Sequence, residues 1–477
     1  MSPPRLDNHS LHHLKPGVAI PAYDRAATAP GIVHFGPGAF MRAHLASFVD
    51  ALLPSDPRWG MAGIALRSGA DAAALTEQDF LYTLAELNEP ARYRVLGAIR
   101  DMTVAPADPA RAFAHLEHPD ARLITITVTE KGYCLDTTGA LDLRHADVVH
   151  DLANSHLPRS LIGWLAEGLS RRHARGFAPP AVMSCDNVAS NGPKLRAAVL
   201  AFARELNRSD LAAWIEAEVR FPATMVDSIT PASDQALRTR VSQATGAQDH
   251  APVQREPFAQ WVVEDALGPG APDLSSVGVQ LTGDVHAYEQ AKLRLLNGAH
   301  SALAYLGLLR GRTTVHEAMC DEELATFVER MMRGDTAPTL HTVKGFDVQD
   351  YIGTLLARLR NPAVVHRLVQ IAADGSLKLP YRFLEPIADL LKLGRPIGRL
   401  CIPVAAWMQF ICERRGETLN DPMAAKLQAI AHTCNGDLAH DVARFLALAK
   451  IFPRDLAQEP RFAAALIRAY AGLPLLD

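Results

Sequence analysis

The run Lys292-Leu-Arg-Leu-Leu-Asn297-Gly-Ala-His300 sets an ammonium, an amide and an imidazole on an otherwise apolar helical stretch. At about 100° per residue, Asn297 and His300 fall about 140° and 80° round from Lys292, so a regular helix lets all three share one broad face. A Lys whose pKa is lowered by burial can take a hydroxyl proton, while Asn and His donate to the oxyanion that develops. The same spacing also fits a surface Lys with two capping or core polar groups. A second candidate is Gly36-Pro-Gly38-Ala-Phe40-Met-Arg42, directly after the apolar run Ile-Val-His-Phe. A strand that ends in Gly-x-Gly and opens a helix lets backbone N–H groups approach a pyrophosphate at the positive end of the helix dipole. The third glycine of the dinucleotide fingerprint is absent, and a plain strand-to-helix turn has the same composition. Further on, Arg67-Ser-Gly69-Ala70-Asp71 stands where a dinucleotide fold meets the adenosine ribose. An acidic residue there favours NAD and an arginine can receive the extra phosphate of NADP, so both cofactors stay open. A third polar cluster, Ser184-Cys-Asp186-Asn187-Val-Ala-Ser-Asn191-Gly192, follows another predicted strand. Ligands of open α/β sheets bind beyond such strand ends, although Asn-Gly is also an ordinary turn.

Other chemistries lack their residues. No His/Cys/Glu group has zinc-ligand spacing, and neither a P-loop nor G-x-S-x-G is present. Tyr288-Glu-Gln-Ala-Lys292 spells the Tyr-x-x-x-Lys of short-chain dehydrogenases, but far downstream of the glycine turn rather than in one compact domain with it.

The elements that must position these groups change character along the chain. Short β-rich runs at 31–35, 63–66, 123–129, 180–184 and 221–226 alternate with helical patterns such as 43–53 and 160–175, which predicts a largely parallel sheet covered by helices. From Tyr288 onward the pattern is helical, with segments at 324–332, 350–359, 383–393 and 440–451 punctuated by Pro, Gly and Asp. The expected organisation is an α/β dinucleotide-binding domain over residues 1–283 and a mostly α-helical substrate domain over 284–477. Composition agrees with a globular chain: of 477 residues, 48% are hydrophobic and 21% charged. A net charge of −4 without basic clusters argues against nucleic acid or a membrane surface as partner. Six scattered cysteines and no C-x-x-C suggest reduced thiols. The first fifteen residues are polar and His-rich, unlike a secretory signal, and no apolar run reaches the roughly 18 residues that span a bilayer. A soluble, cytoplasmic protein is expected.

Taken with Thr129-Glu130-Lys-Gly-Tyr133, Phe221-Pro-Ala-Thr-Met-Val-Asp227, Glu256-Pro-Phe-Ala-Gln-Trp261 and Asp374-Gly-Ser-Leu-Lys378-Leu-Pro380, these segments resemble the long-chain mannitol dehydrogenase and fructuronate reductase family. The resemblance runs from about Gly31 to the C-terminus. It implies a zinc-independent oxidoreductase with a Rossmann-type N-terminal domain and a helical C-terminal domain. Lys292 matches the general acid/base, Asn187 and Asn297 the oxyanion donors, and His300 a substrate-orienting group. Gly36, Gly38, Phe40, Arg67 and Asp71 would hold NAD or NADP. Lys378, Arg382 and Asp227 would contact substrate, with Glu130 and Glu289 near the proton path.

Mannitol dehydrogenases often carry Glu-Asp where this chain has Gly69-Ala70, and some carry an Arg where it has Gln370; fructuronate reductases share these departures. Arg382 could pair with a uronate carboxylate. Leu66-Arg67-Ser68 and Thr83-Leu-Ala-Glu-Leu87 are closer to mannitol dehydrogenase. The preferred substrate pair is therefore D-mannonate and D-fructuronate, with D-mannitol and D-fructose as the alternative and a catalytically silent NAD(P)-binding sensor as a third. The expected partner is a small sugar alcohol, ketose or uronate, and the expected state a monomer or weak oligomer.

Overall fold

The computed structural model describes residues 3–67, 69, 71–341, 343 and 345–473. Ser68 and Ala70, which enter the cofactor argument, lie outside the described residues. The chain divides into two compact units, Met1–Val285 and His286–Asp477.

In the first unit the strands are β1 Ile32–Phe35, β2 Met61–Ala65, β3 Tyr82–Glu86, β4 Arg92–Leu96, β5 Ile99–Val104, β6 Leu123–Ile126, β7 Ala181–Ser184, β8 Thr224–Asp227, β9 Val253–Arg255, β10 Gln260–Glu264 and β11 Gln280–Thr282. The main sheet is parallel throughout, in the order β5-β2-β1-β6-β7. Strands β1, β2, β6 and β7 are buried along their whole length, as a parallel sheet covered on both faces requires, while the edge strand β5 is half-buried at Arg100, Asp101 and Val104. Alternate residues feed two cores. Val33 and Phe35 pack on one side with Phe113, Trp164 and Phe202, while Ile32 packs on the other with Leu45, Val49 and Trp261. The chain leaves β1 toward β2 on one side and later returns to β6 on the other, so the carboxyl ends of β1 and β6 flank a topological switch point.

Three local expectations change. The run at 123–129 stops as a strand at Ile126, because the N–H groups of Val128 and Thr129 turn to the Asp186 carboxylate and Thr129 takes φ 70°. The run at 221–226 becomes β8, shifted to Thr224–Asp227. It pairs antiparallel with β10 in a second sheet, β11-β10-β8, rather than joining the parallel one. Pro222 has no N–H to give a ladder and lies beside Gly192, where a Cβ would strike residues 221–223. The helix expected at 43–53 begins at Ala39 and breaks at His44 into Ala39–Ala43 and Leu45–Leu52. Strands β3, β4 and β9 form a third sheet. The helix expected at 160–175 is observed as Leu161–Ala174, capped by Ser160, whose Oγ accepts the Gly163 N–H at 3.0 Å.

The second unit is helical throughout its regular elements. Helix Asn297–Leu309 is buried on all sides from Gly298 to Gly307, which its nearly continuous apolar sequence anticipates. It packs against Leu368–Ala372 and Gly398–Glu413, and the latter against Pro460–Ala471. Three wide π turns, Lys292–Leu296, Met331–Thr336 and Pro380–Leu384, interrupt the α-helical ladder, and the first packs on both others. Among the described residues no helix is long and apolar enough to cross a membrane, and no group of three His, Cys, Asp or Glu could hold a metal ion. All six thiols are unpaired.

Candidate active site

The glycine turn after β1 is held open by local sterics. Gly36 has φ 83°, and a Cβ there would collide with the Thr127 carbonyl, so both conformation and close approach require glycine. At Gly38 the constraint is different. A Cβ would meet only the Gly36 oxygen, at 3.8 Å, so its absence leaves space in front of the turn. Beneath lies His34, fully buried in β1, with Nδ1 2.7 Å from Thr125 Oγ1 and Nε2 2.9 Å from Thr127 Oγ1. Burial pushes its pKa down to about 3, so the ring is neutral and serves as a fixed strut under Gly36 and Thr127.

A cavity of about 440 Å³ opens above this turn at the switch point, lined by Gly36, Gly38, Arg67, Asp71, Thr127 and Arg159 among others. Its size is that of a small-molecule site. The exposed backbone, the room at Gly38 and the cations Arg67 and Arg159 fit a dinucleotide's phosphates. Asp71 lines the cavity but also ion-pairs with Arg42, which is almost wholly buried and whose Nη1 donates to the Ala251 carbonyl at 2.6 Å. Its carboxylate therefore also balances a charge inside the fold. Phe40 does not line the cavity: its ring stacks on His44 at 5.0 Å and packs on the core.

The polar cluster after β7 is built around Asp186. Its carboxylate accepts from Val128 N (2.9 Å), Thr129 N (3.0 Å) and Tyr133 Oη (2.7 Å), and burial raises its pKa. These bonds fasten the loop bearing Glu130 to the loop bearing Asn187. Both of those side chains are exposed. Asn191 has a different part: it is buried, donates to Thr224 O at 2.9 Å and accepts from Thr224 N at 3.0 Å, tying the main sheet's edge to β8. Asp227, the last residue of β8, is 4% exposed.

In the second unit Lys292 and Asn297 bound a π turn, and the Asn297 N–H donates to the Lys292 carbonyl. This i→i+5 closure winds the chain more widely than an α-helix. The regular 100° geometry therefore does not hold, and Asn297 lies closer round to Lys292 than 140°. Lys292 and Asn297 are half-buried, and His300 is 7% exposed. Glu289 lies one turn before Lys292 and pairs with His286 at 3.6 Å.

Arg382, in the π turn Pro380–Leu384, joins this helix: its Nη1 donates to Asn297 O at 3.1 Å and Ser301 Oγ at 2.7 Å. Burial lowers its pKa to about 10. Lys378 Nζ donates to the carbonyls of Ile371 (3.1 Å) and Ala373 (2.6 Å), with its pKa lowered by burial and then by Arg382. His300 titrates well below its ordinary range, first through burial and then through His366, Arg358 and Arg382. Sequence reasoning missed His366, Ser301 and Arg358, none of which sits in a motif. The structure thus gathers His300, Lys378, Arg382 and the Asn297 backbone in one locus on the run that starts at Lys292. Asn187, Glu130 and Asp227 belong to the first unit.

Comparison with known proteins agrees along the whole chain. Residues 30–276 match the model for the mannitol dehydrogenase Rossmann domain, and 284–473 that for the mannitol dehydrogenase C-terminal domain. A mannitol 2-dehydrogenase of Phaeosphaeria nodorum is 38% identical over 98% of this chain and 83% of its own length. A D-mannonate oxidoreductase of Escherichia coli is also 38% identical, over 96% of each. Among solved structures, a Pseudomonas fluorescens mannitol 2-dehydrogenase in ternary complex with NAD and D-mannitol matches with TM-score 0.81 and 38% identity, covering 99% of this chain and 97% of that one.

Proposed function

The chain belongs to the mannitol dehydrogenase family, and from that premise we propose that it is an NAD(P)-dependent oxidoreductase whose preferred pair is D-mannonate and D-fructuronate. The observation that carries the substrate choice is the cluster of cations at His300, where Arg382, held on Asn297 O and Ser301 Oγ, and Arg358 act on the ring, while the carboxylates of Asp374 and Asp421 act on Lys378 and Tyr305 instead. Such a surface suits a substrate bearing a carboxylate better than a neutral polyol. The two relatives at 38% identity carry different substrate names and do not separate the choices. Mannitol and fructose remain the second reading, favoured by Leu66-Arg67-Ser68 and Thr83-Leu-Ala-Glu-Leu87.

NAD(P), when bound, accepts a hydride from the carbinol carbon or returns it to the carbonyl carbon. Gly36, Gly38 and Arg67 are its proposed seat, with Asp71 at the ribose end and Phe40 in a supporting position. Lys292 takes the hydroxyl proton in oxidation and gives it back in reduction, so one group serves both directions. The Asn297 side-chain amide donates to the oxygen as negative charge builds there. His300, neutral through burial, offers one N–H and one acceptor, which orients a hydroxyl without adding charge. Arg382 and Lys378 meet the anionic end. The oxyanion role of Asn187, the substrate contact of Asp227 and the proton-path roles of Glu130 and Glu289 belong to the same proposal.

The test is initial-rate absorbance at 340 nm, with NADH and NADPH each against fructuronate and fructose. Higher kcat/KM for fructuronate is expected. Higher kcat/KM for fructose returns the chain to the mannitol reading, and turnover of neither substrate favours a silent sensor.

A further inference from the structure

The locus in the second unit contains more unpaired polar atoms than a self-contained core tolerates. His300 Nε2, His366 Nδ1 and Arg382 Nε are buried atoms with no hydrogen-bond partner among the described residues. They come from three separate segments: helix Asn297–Leu309, the loop before Leu368–Ala372, and the π turn Pro380–Leu384. The two imidazoles meet edge to face with centroids 5.1 Å apart and planes at 70°. Each segment is anchored elsewhere. The Val315 N–H donates to the His366 carbonyl at 3.0 Å, and Arg382 is fixed through Nη1. The main chain at His366 and the guanidinium of Arg382 are thus held in place. Buried polar groups in native proteins are almost always satisfied, and a group of orphans at one place points to a ligand.

The chemistry of the group narrows that ligand. Arg382 Nε is a donor only, and a neutral imidazole supplies one N–H from one of its two nitrogens. Lys378, whose charge acts on His366, already gives two of its three hydrogens to carbonyls. Arg382 is a cation with a free donor, and each imidazole can turn an N–H to the same ligand, which complements a carboxylate with its several lone pairs; the carboxylates of Asp374 and Asp421 act on Lys378.

We propose that His366 is a further specificity-determining residue, which with Arg382 receives the carboxylate of a keto-acid sugar substrate. The inference rests on the uronate reading of the site and adds a residue to it. The experiment is steady-state kinetics of the full-length His366→Ala and His366→Asn variants with NADH, on fructuronate and fructose, with thermal melting as the folding control. Removing one hydrogen bond to a charged group predicts that the ratio of kcat/KM on fructuronate to that on fructose falls about tenfold or more in His366→Ala. The fall is carried by KM rather than kcat, and His366→Asn, which retains an N–H donor, recovers part of it. An equal loss on both substrates, or a loss in kcat alone, overturns the role of His366 while leaving the uronate reading in place. A wild-type preference for fructose overturns both.

Discussion

Around Gly36 and Gly38 the protein offers backbone and space, and the polar side chains that shape the turn are largely paired: His34 with Thr125 and Thr127, and Asp71 with Arg42, although Arg42 Nε has no partner among the described residues. Around His300 it offers side chains, and several of their nitrogens have no partner among the described residues. On the proposed function the two regions pre-organise their ligands differently. A phosphate-bearing cofactor shared by many enzymes can be held by main-chain geometry, which any sequence with glycine at two positions can supply. A substrate must be told from its relatives, and that takes donors with fixed charge and direction whose satisfaction depends on the right partner.

The contrast breaks first, and most strongly, at Arg382. Arg382→Ala removes a cation from the donor set and its bonds to Asn297 O and Ser301 Oγ. The expected cost on fructuronate is a fall in kcat/KM of about 10- to 100-fold, the range for losing a charge-assisted hydrogen bond. NADH affinity, measured by fluorescence titration, should not move. A parallel loss of cofactor affinity would show that the two regions are not separable. On the other side, Gly36→Ala places a side chain at φ 83° against the Thr127 carbonyl. The left-handed conformation alone costs about 1–2 kcal/mol, so NADH should bind roughly tenfold more weakly and the melting temperature should fall. Unchanged cofactor binding would remove the glycine turn from the site.

A third test sharpens the contrast through pH. The His34 pKa is about 3 in the fold against about 6.5 in the unfolded chain, so acid favours unfolding. Its contribution is fully present above about pH 6.5 and is lost as pH falls toward 3, with a slope of at most about 1.4 kcal/mol per unit. Chemical denaturation of wild type and His34→Asn across that window should show a shallower acid loss in the variant. Parallel curves would mean that other groups control the acid limb.

How much of this was legible in the sequence follows from what each feature depends on. Gly36 announced its turn because its φ of 83° demands glycine locally, whereas the Thr127 carbonyl that it must also clear comes from a distant part of the chain. Ile32–Phe35 and Leu161–Ala174 were legible through their apolar patterns, which are local too. Asp71 was only half legible: its position after β2 suggested the ribose, but its ion pair is with Arg42, which is distant in sequence. The strands β3, β4 and β9 were not seen, since a run such as Arg92-Tyr-Arg-Val-Leu96 mixes charge into an edge strand that only its neighbours justify. The π turn at Lys292–Leu296 was hidden too, because the apolar pattern reads equally well at 100° per residue. His366 had no motif to mark it, and its significance comes from the ring 5.1 Å away.

The claim that cofactor and chemistry are served by different residues is tested most directly by Lys292→Ala with two readouts on one preparation. NADH affinity by fluorescence should match wild type, while turnover of fructuronate should fall by about 10²- to 10⁴-fold, the usual contribution of a general acid/base. Unchanged turnover, or cofactor binding lost along with it, would contradict the account.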